Sequence, residues 1–328
     1  MHYGTSTNAV EYQRARGGTD IFAESASARV AAVIVLYYPQ AFLLTRLVDS
    51  LFSQTDWLFV IDNTPSWDNK ISDLLTHGTR KLTYRANGYN AGLASAQNSG
   101  IRAAIDEGFT HVLLVDQDSA LPKGGVHDLL AAERRLIATG REVSVVGPLF
   151  VDEKTGKRSQ AVHQSGFRVK WEDIPAEERN PVETDYLIAS GSLIRTSVLE
   201  KVGHMRDELF IDWVDTEWAY RAKSFGLAAY IIPTIVMRHS IGDKSAQLLG
   251  RRVNLHSPTR NYYIVRNAMY LLQKRHMSWK WRFTMMTYVP KYILVHSWLS
   301  RNRCRSLVQM LVGVRDGIMR NMKPYSSL

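Results

Sequence analysis

A regular alternation of short buried strands with helices constrains the fold of this chain more than any other sequence feature. Val30–Tyr38 is a continuous apolar and β-branched run closed by Pro39, which is typical of a strand covered on both faces. Apolar residues then recur at helical spacing between Leu44 and Leu51, and a second buried strand is predicted at Trp57–Ile61. The chain therefore begins with a β-α-β unit.

The alternation continues beyond this unit. Further strands are predicted at Lys81–Arg85, Val112–Val115 and Val143–Val146, and further helices at Ala94–Glu107 and from about Val126 to Ala138. Strands that alternate with helices form right-handed crossovers, so we expect an α/β fold with a Rossmann-like, mostly parallel sheet flanked by helices. Residues 150–182 are polar and rich in turn-forming residues, so we expect a hairpin or an excursion there that lies outside the alternation of strands and helices. Tyr186–Ile194 predicts a strand interrupted by Ser190-Gly191-Ser192, and glycine within a strand often marks close approach by a ligand or another backbone.

Two acidic residues stand where the strand Val112–Val115 ends. Asp116 and Asp118 lie two positions apart, so on extended backbone their side chains face the same side. In an open α/β sheet, ligands bind at the carboxyl ends of the strands. Carboxylate oxygens suit Mg²⁺ or Mn²⁺, which often share them with substrate phosphates. The pattern indicates a metal and diphosphate site, and an Asp-rich turn after a strand is the alternative.

Polar residues also follow two other predicted strands. Asp62 and Asn63 come after the second strand, and Asn87 comes after the third. Because the carboxyl ends of parallel strands meet at one edge of a sheet, we expect these side chains to lie near Asp116 and Asp118.

Three acids crowd the start of a later predicted helix. Asp212 and Asp215 fit the spacing of a capping arrangement that needs no active site. Glu217 has a local partner in Arg221 four residues on, which favours a structural role. Asp215 has no basic residue three or four positions away on either side. An acid among other acids has a raised pKa, which suits a general base.

Three further residues could contact a metal ion or a phosphate. His239 follows another apolar strand and is a candidate metal ligand, with a structural histidine as the alternative. Arg260 and Arg266 lie on a predicted helix in the segment RNYYIVRN. They could hold phosphate groups or belong to a solvated helix face.

The charge of the chain is concentrated at its carboxyl end. The formal net charge is +10, and residues 273–328 hold eleven Lys and Arg against one acid, so the first 272 residues are balanced. In this region Leu307, Met310, Leu311, Val314 and Ile318 share one helical face. The stretch Phe283–Leu299 is apolar but too interrupted to span a bilayer. We therefore predict a basic amphipathic region that lies on anionic lipid, with Trp279, Trp281 and Trp298 at the headgroup level; a helical subdomain or oligomer interface is the alternative.

The remaining composition favours an intracellular protein. The single cysteine, Cys304, excludes an intrachain disulfide and fits a reducing compartment. Residues 1–29 contain no apolar core of a secretory signal, and we expect a flexible leader there. The predicted organisation is this leader, a catalytic domain at 30–272 and the basic helical region at 273–328.

Several motifs in order resemble the inverting GT-A glycosyltransferases of family 2. More narrowly, the chain is similar to the bacterial branch that uses dTDP-L-rhamnose, which includes enzymes of O-antigen, other surface polysaccharide and dirhamnolipid synthesis. The segments that carry the resemblance are VIVLYYP, FVIDNT, NGYNAGLASAQNSGI, LLVDQDS, ASGSLI, ELFIDWVDTEWAYRA, HSIGD and HSPTRNYYIVRN. They cover residues 30 to about 270.

The resemblance implies a role for each matched position. It assigns the donor's thymine ring to Asp62, the nucleotide pocket to Asn87, Gly88 and the turn through Gly92, the donor sugar to Asp116, the metal ion to Asp118 and His239, and general-base catalysis to Asp215. Relatives carry Glu immediately before this Asp, whereas this chain has Val214, which leaves the role of Glu217 open. The middle residue of the DxD motif is Gln117, which is typical of the rhamnosyl branch.

The implied activity is Mg²⁺- or Mn²⁺-dependent transfer of L-rhamnose from dTDP-L-rhamnose to a hydroxyl group of a lipid-linked glycan or glycolipid. The expected location is the cytoplasmic face of the cell membrane, as a peripheral protein that binds no nucleic acid. Two alternatives are a sugar nucleotidyltransferase, which would release pyrophosphate, and a nucleic-acid-binding protein that uses the basic tail. The acceptor, the linkage position and the oligomeric state are left open by the sequence.

Overall fold

The computed structural model describes residues 28–66, 81–152, 156–239, 244–248, 251–300 and 302–325, together with positions 71 and 75. The predicted leader at 1–29 lies outside these ranges except for its last two residues. Residues 240–243 of the HSIGD segment also lie outside them.

A nine-stranded sheet organises the described chain. The strands are β1 (Val30–Leu36), β2 (Trp57–Asp62), β3 (Leu82–Ala86), β4 (His111–Asp116), β5 (Ser119–Ala120), β6 (Val143–Asp152), β7 (Gln160–Ser165), β8 (Arg168–Asp173), β9 (Val182–Thr184), β10 (Ser192–Arg195), β11 (Ala228–His239), β12 (Lys244–Leu248) and β13 (Arg251–Leu255). The order is β3-β2-β1-β4-β10-β6-β11-β5, with β9 also on β11, while β7–β8 and β12–β13 form separate two-stranded sheets. Only β5, β9 and β10 run antiparallel to the rest of the main sheet. The predicted mostly parallel sheet is confirmed, and so is the hairpin between residues 150 and 182.

Helices cover both faces of the sheet. They are α1 (Ala41–Phe52), α2 (Leu93–Asp106), α3 (Gly125–Ala138), α4 (Thr196–Val202), α5 (Val214–Ser224), α6 (Pro258–Leu271), α7 (Trp279–Leu299) and α8 (Arg303–Met319). In β1, Ala31 and Val33 join the core under α2 and α5, whereas Ala32 and Ile34 join the core under α1 and α3. Successive strand residues point to opposite faces, which explains why this strand is apolar throughout.

The segment predicted as a strand at Tyr186–Ile194 is largely irregular. Regular strand begins only at Ser192, and Gly191 has a φ of +76°. A Cβ atom on Gly191 would lie 2.7 Å from the ring of Pro148. The close approach that the glycine indicated is therefore to Pro148.

The last helix, α8, packs on α6 through small residues. Gly313 and Gly317 of α8 face α6, where a Cβ atom would meet the carbonyl oxygens of Tyr262 and Arg266. Met310 is buried in this contact. The other large residues of the predicted apolar face, Leu307, Leu311 and Ile318, are exposed.

One tryptophan predicted at the lipid surface lies instead in the core. Trp281 is 2% exposed, and its ring packs edge-on against Trp213 at 5.8 Å between centroids. The prediction for Trp281 is wrong because the first turn of α7 packs against the segment before α5. Trp279 and Trp298 are exposed.

Candidate active site

Asp62 ends β2 with its carboxylate held in place. Oδ1 accepts a hydrogen bond from the backbone N–H of Thr64, and Oδ2 accepts one from the hydroxyl of Tyr84, both at 2.8 Å. The side chain is buried. Because a carboxylate has about four acceptor positions, these two bonds orient Asp62 and leave it able to accept from a ligand.

The glycine-rich turn after β3 is tied to the end of β2. The amide nitrogen of Asn87 donates to Oδ1 of Asn63 at 2.8 Å, and the amide nitrogen of Asn63 donates to the carbonyl of Gly92 at 2.9 Å. Gly88 and Gly92 have φ values of +73° and +87°, which favour glycine. A Cβ atom on Gly92 would lie 2.6 Å from the ring of Phe210. The turn therefore lies against the chain that leads to Asp215.

The DxD turn after β4 is anchored through its middle residue. Oε1 of Gln117 accepts from the backbone N–H of Tyr37 at 2.8 Å, and Nε2 donates to the carbonyl of Tyr37 at 3.1 Å. Asp116 and Asp118 on either side of Gln117 are both partly exposed. The glutamine thus fixes the turn while its carboxylate neighbours remain accessible.

The backbone of His239 lies beside this turn. In the antiparallel pair of β5 and β11, Ser119 is opposite His239, so the residue after Asp118 is the partner of His239. The side chain of His239 is outside the described part of the structure. Among the described side chains, no three His, Cys, Asp or Glu groups come close enough to hold a metal ion. The backbone register fits the proposed pair of Asp118 and His239, since a carboxylate oxygen and an imidazole nitrogen suit a divalent ion.

Asp215 lies at the second position of α5. Its Oδ2 accepts a hydrogen bond from the backbone N–H of Ala189 at 3.0 Å. Its Oδ1 is inaccessible to solvent and has no hydrogen-bond partner among the described residues. Burial, together with the charges of Asp116 and Asp212, outweighs the Ala189 hydrogen bond, which lowers the pKa, and the net effect raises the pKa of Asp215 to about 7. At neutral pH this carboxyl can therefore take up or release a proton.

The dipeptide Ala189–Ser190 joins Asp215 to the DxD turn. Ala189 donates its backbone N–H to Asp215, while the hydroxyl of Ser190 accepts the backbone N–H of Asp116 at 3.1 Å and donates to the hydroxyl of Ser119 at 2.8 Å. Asp116 and Asp215 thus lie on either side of two consecutive residues. Acids 99 positions apart in sequence are thus close enough for the charge of Asp116 to raise the pKa of Asp215.

Glu217 is engaged elsewhere. It is fully buried, and its carboxylate lies 2.6 Å from Arg206, 3.0 Å from Arg221 and 3.0 Å from His276. Burial raises the pKa of Glu217, but the contacts with His276, Arg221 and Arg206 outweigh it and bring the pKa to about 2. The predicted Arg221 pair is confirmed, and Glu217 is a permanently charged structural acid.

The capping arrangement considered for Asp212 and Asp215 is not formed. The residue before α5 is Trp213, with a φ of +65° and no side-chain capping bond. The carboxylate of Asp212 instead pairs with the guanidinium of Arg260 at 3.0 Å. Arg260 remains partly exposed and close to the acids.

The structure contradicts the phosphate contact predicted for Arg266. This side chain is 0% exposed, and its guanidinium donates to the backbone carbonyls of Glu208, Leu209, Met322 and Lys323. It also donates to the side chain of Asn267. A guanidinium surrounded by these acceptors is unavailable to a ligand.

Sequence reasoning missed three residues that shape the site. Ser190 bridges Asp116 and Ser119, Phe210 packs on Gly92, and Asn267 binds the chain before α5. For Ser190 the only sequence signal is the glycine that follows it. Nothing in local spacing identifies the other two, because their partners are more than fifty positions away.

Comparisons with known proteins identify the family of this chain. The model of the family described as "Glycosyl transferase family 2" matches residues 32–203. A dTDP-rhamnosyl transferase, RfbF, from Shigella flexneri is 31% identical over 300 residues, which cover 89% of this chain and 96% of that protein. A low-salt glycan biosynthesis hexosyltransferase, Agl10, from Haloferax volcanii is 21% identical over 197 residues, 58% of this chain and 61% of that protein.

A solved structure has the same fold. The crystal structure of GalNAc-T7 with UDP, GalNAc and Mn²⁺ matches 90% of this chain with a TM-score of 0.55 and 16% identity. This chain spans 58% of the length of GalNAc-T7. The family match over half of the chain, together with the relationship to RfbF over nearly all of it, establishes that this protein belongs to glycosyl transferase family 2 and has its GT-A fold.

Proposed function

We propose that this glycosyltransferase transfers L-rhamnose from dTDP-L-rhamnose to a hydroxyl group of a lipid-linked glycan or glycolipid, with inversion at the anomeric carbon. The observation that carries the proposal is the pair of Asp116 and Asp215 on either side of Ala189–Ser190. The relationship to RfbF supports dTDP-rhamnose as the donor. Of the two alternatives, neither a nucleotidyltransferase nor a nucleic-acid-binding protein is favoured by the family match.

The donor would lie along the carboxyl ends of β2, β3 and β4. Asp62 would accept a hydrogen bond from the thymine N–H, and Asn87 with the turn from Gly88 to Gly92 would line the nucleotide pocket. Asp116 would approach the sugar. Arg260 is the remaining basic candidate for the phosphates, because it is partly exposed and reaches the acids at the start of α5.

Asp215 would act as the general base. Its carboxylate would take the proton of the acceptor hydroxyl as the oxygen forms a bond to the anomeric carbon. The bond from that carbon to the diphosphate oxygen breaks on the opposite face, and dTDP leaves with the bonding electrons. Because one bond forms as the other breaks on the opposite side, the configuration inverts without a covalent intermediate.

Asp118 and His239 would hold Mg²⁺ or Mn²⁺ next to the donor diphosphate. When bound, such an ion neutralises charge on the departing dTDP. The support is that Ser119, the residue after Asp118, pairs with His239 where β5 meets β11. GalNAc-T7, which has the same fold, was crystallised with Mn²⁺.

The exposed apolar residues of the last helices support attachment to a membrane surface. Trp279, Phe283, Met286, Leu294 and Trp298 recur along α7 at intervals of three, four or eight residues and are all exposed. None of the helices in the described ranges is both long and apolar enough to cross a bilayer. We infer that this stripe lies in the lipid interface, where the acceptor's lipid would also be found.

Aromatic and basic groups surround the stripe. Phe167, at the tip of the β7–β8 hairpin, contacts the rings of Trp279 and Phe283 at 5.1 and 4.9 Å between centroids. Lys280, Lys291, Arg303, Arg305 and Arg315 are exposed on α7 and α8. Aromatic rings favour the headgroup region, and each basic residue near anionic lipid contributes about 1 kcal/mol. The proposed location is the inner face of the cell membrane.

Replacement of Asp215 tests the assignment of the base. We expect Asp215→Asn to lower the turnover of dTDP-rhamnose by about 10²- to 10⁴-fold, because the amide cannot accept the proton. The affinity for dTDP, measured by calorimetry, should stay near the wild-type value. Asp128→Asn, which changes an exposed acid on α3, is the control. Turnover of Asp215→Asn within tenfold of wild type would refute the assignment.

Replacement of Asp118 tests the metal site separately. We expect Mn²⁺ to strengthen the binding of dTDP to the wild-type protein and to Asp215→Asn, but not to Asp118→Ala, because only the last variant lacks a metal ligand. Calorimetric titrations with and without Mn²⁺ measure this difference. If Asp118→Ala retained the full effect of Mn²⁺, the metal would be held by other residues.

Sedimentation with lipid vesicles tests the membrane surface. The wild-type protein should sediment with vesicles containing anionic lipid at low ionic strength and less at high ionic strength, because salt screens the basic residues. Leu294→Asp combined with Trp298→Asp should reduce binding. Phe42→Asp, at an exposed position of α1, should not. Wild-type protein that stays in the supernatant at low salt would contradict the inference.

A further inference from the structure

The six residues Glu208–Trp213, which we name the base loop, have an unusual backbone. Phe210, Asp212 and Trp213 have φ values of +64°, +61° and +65°. Of the described residues, only two others that are not glycine have positive φ. L-amino acids rarely adopt this region because the Cβ atom crowds the backbone. The base loop leads directly into α5 and Asp215, so something must hold it in this form.

The backbone of the base loop is held by two adjacent side chains of α6. The amide nitrogen of Asn267 lies 2.8, 2.8 and 3.1 Å from the carbonyl oxygens of Leu209, Ile211 and Asp212. Nη2 of Arg266 lies 3.0 and 3.1 Å from the carbonyl oxygens of Glu208 and Leu209. Both side chains are 0% exposed, where loss of a hydrogen-bond partner is costly.

The three residues with positive φ are also anchored individually to α6. The ring of Phe210 stacks on Tyr263 at 4.8 Å with an angle of 11° between planes. The carboxylate of Asp212 pairs with Arg260. The indole nitrogen of Trp213 donates to the carbonyl of Ile264 at 3.0 Å. Each rarely adopted conformation thus coincides with a separate contact to the same helix.

The base loop also touches the donor side of the cleft. The carbonyl of Phe210 accepts the backbone N–H of Leu93 at 2.6 Å, at the start of α2. The preceding residue, Gly92, has no room for a Cβ atom beside the Phe210 ring. The loop therefore connects the glycine-rich turn to Asp215, and its position sets the distance between donor and base.

We propose that Asn267 and Arg266 are positioning residues for catalysis: they hold the base loop in its strained form and thereby aim the carboxyl group of Asp215 into the cleft. The role of Asp215 as base rests on the proposed function. Since misplacement of a catalytic group by about 1 Å can cost about 10²-fold in rate, small relaxation of the loop is enough to impair transfer.

The test is a comparison of two buried asparagines on the same helix. Asn267→Ala removes the three contacts of the Asn267 amide nitrogen to the base loop. Asn261→Ala removes a hydrogen bond to the hydroxyl of Tyr292 on α7. We expect Asn267→Ala to lower kcat by about 10²-fold with the donor KM and the dTDP affinity little changed, which is the pattern of a lost transition-state interaction. Asn261→Ala should keep kcat near wild type.

Hydrogen exchange supplies a readout that does not need activity. Amides of residues 208–213 should exchange faster in Asn267→Ala than in Asn261→Ala, with exchange in α3 equal in both. Trp213→Phe keeps an aromatic ring but loses the hydrogen bond to Ile264 and part of the indole packing on Trp281. It is the milder variant if Asn267→Ala does not fold, and we expect a loss in kcat of about fivefold.

The outcomes separate this inference from the proposed function. If the wild-type protein transfers no rhamnose while Asn267→Ala loosens residues 208–213, the proposed function fails and the hold on the loop stands. If the wild type is active and both Asn267→Ala and Trp213→Phe keep wild-type kcat, the positioning role is wrong. Equal losses of kcat in Asn267→Ala and Asn261→Ala would also overturn it, because they would reflect general packing.

Discussion

The arrangement of the site depends on one constraint: the carboxyl group of Asp215 is buried, while the nearby basic side chains pair with Asp212 and Glu217 instead. Glu217 lies two positions further along the same helix and is more deeply buried, yet its pKa is about 2 because two arginines and a histidine surround it. The pKa of Asp215 is about 7 because burial and two other acids act on it. Opposite environments for two nearby acids are what acid–base chemistry requires.

Helix geometry separates these environments. Residues two apart on an α-helix point about 200° apart, so Asp215 and Glu217 face opposite sides of α5. Glu217 turns towards Arg206 and the connection after α6, where His276 lies. Asp215 turns towards Ala189 and the end of β4. Asp212, the third acid, is paired with Arg260. Arg206 and Arg260 thus pair with Glu217 and Asp212, the acids on either side of Asp215 in the sequence.

Much of this arrangement follows from local sequence. Continuous apolar runs predict the central strands β1, β2 and β4 correctly because these strands are buried on both faces of the sheet. The apolar segment Tyr186–Ile194 is the exception, since regular strand begins there only at Ser192. The isolation of Asp215 and the pairing of Glu217 with Arg221 follow from helical spacing alone. The extra partners of Glu217 could not be predicted, because Arg206 and His276 reach it only through tertiary packing.

Arg266 shows the limit of such reasoning most clearly. Its guanidinium can bind phosphate or backbone carbonyls equally well, so the residue type does not distinguish a ligand contact from a structural one. Which of the two partners Arg266 binds depends on the burial of its side chain. The close packing of Gly313 and Gly317 of α8 against α6 contributes to that burial. Similarly, the glycine at position 191 indicates a close approach, but only the folded chain identifies Pro148 as the neighbour.

The titration of the Asp215 carboxyl group measures this arrangement most directly. It can be followed by carbon-13 NMR, with the spectrum of Asp215→Asn assigning the resonance. The account predicts a pKa of about 7 in the wild-type protein and a lower pKa in Asp116→Asn, because the Asp116 charge raises it. A wild-type pKa near the ordinary value of 3.8, unchanged by Asp116→Asn, would contradict the claim that the Asp215 carboxyl group is buried close to Asp116.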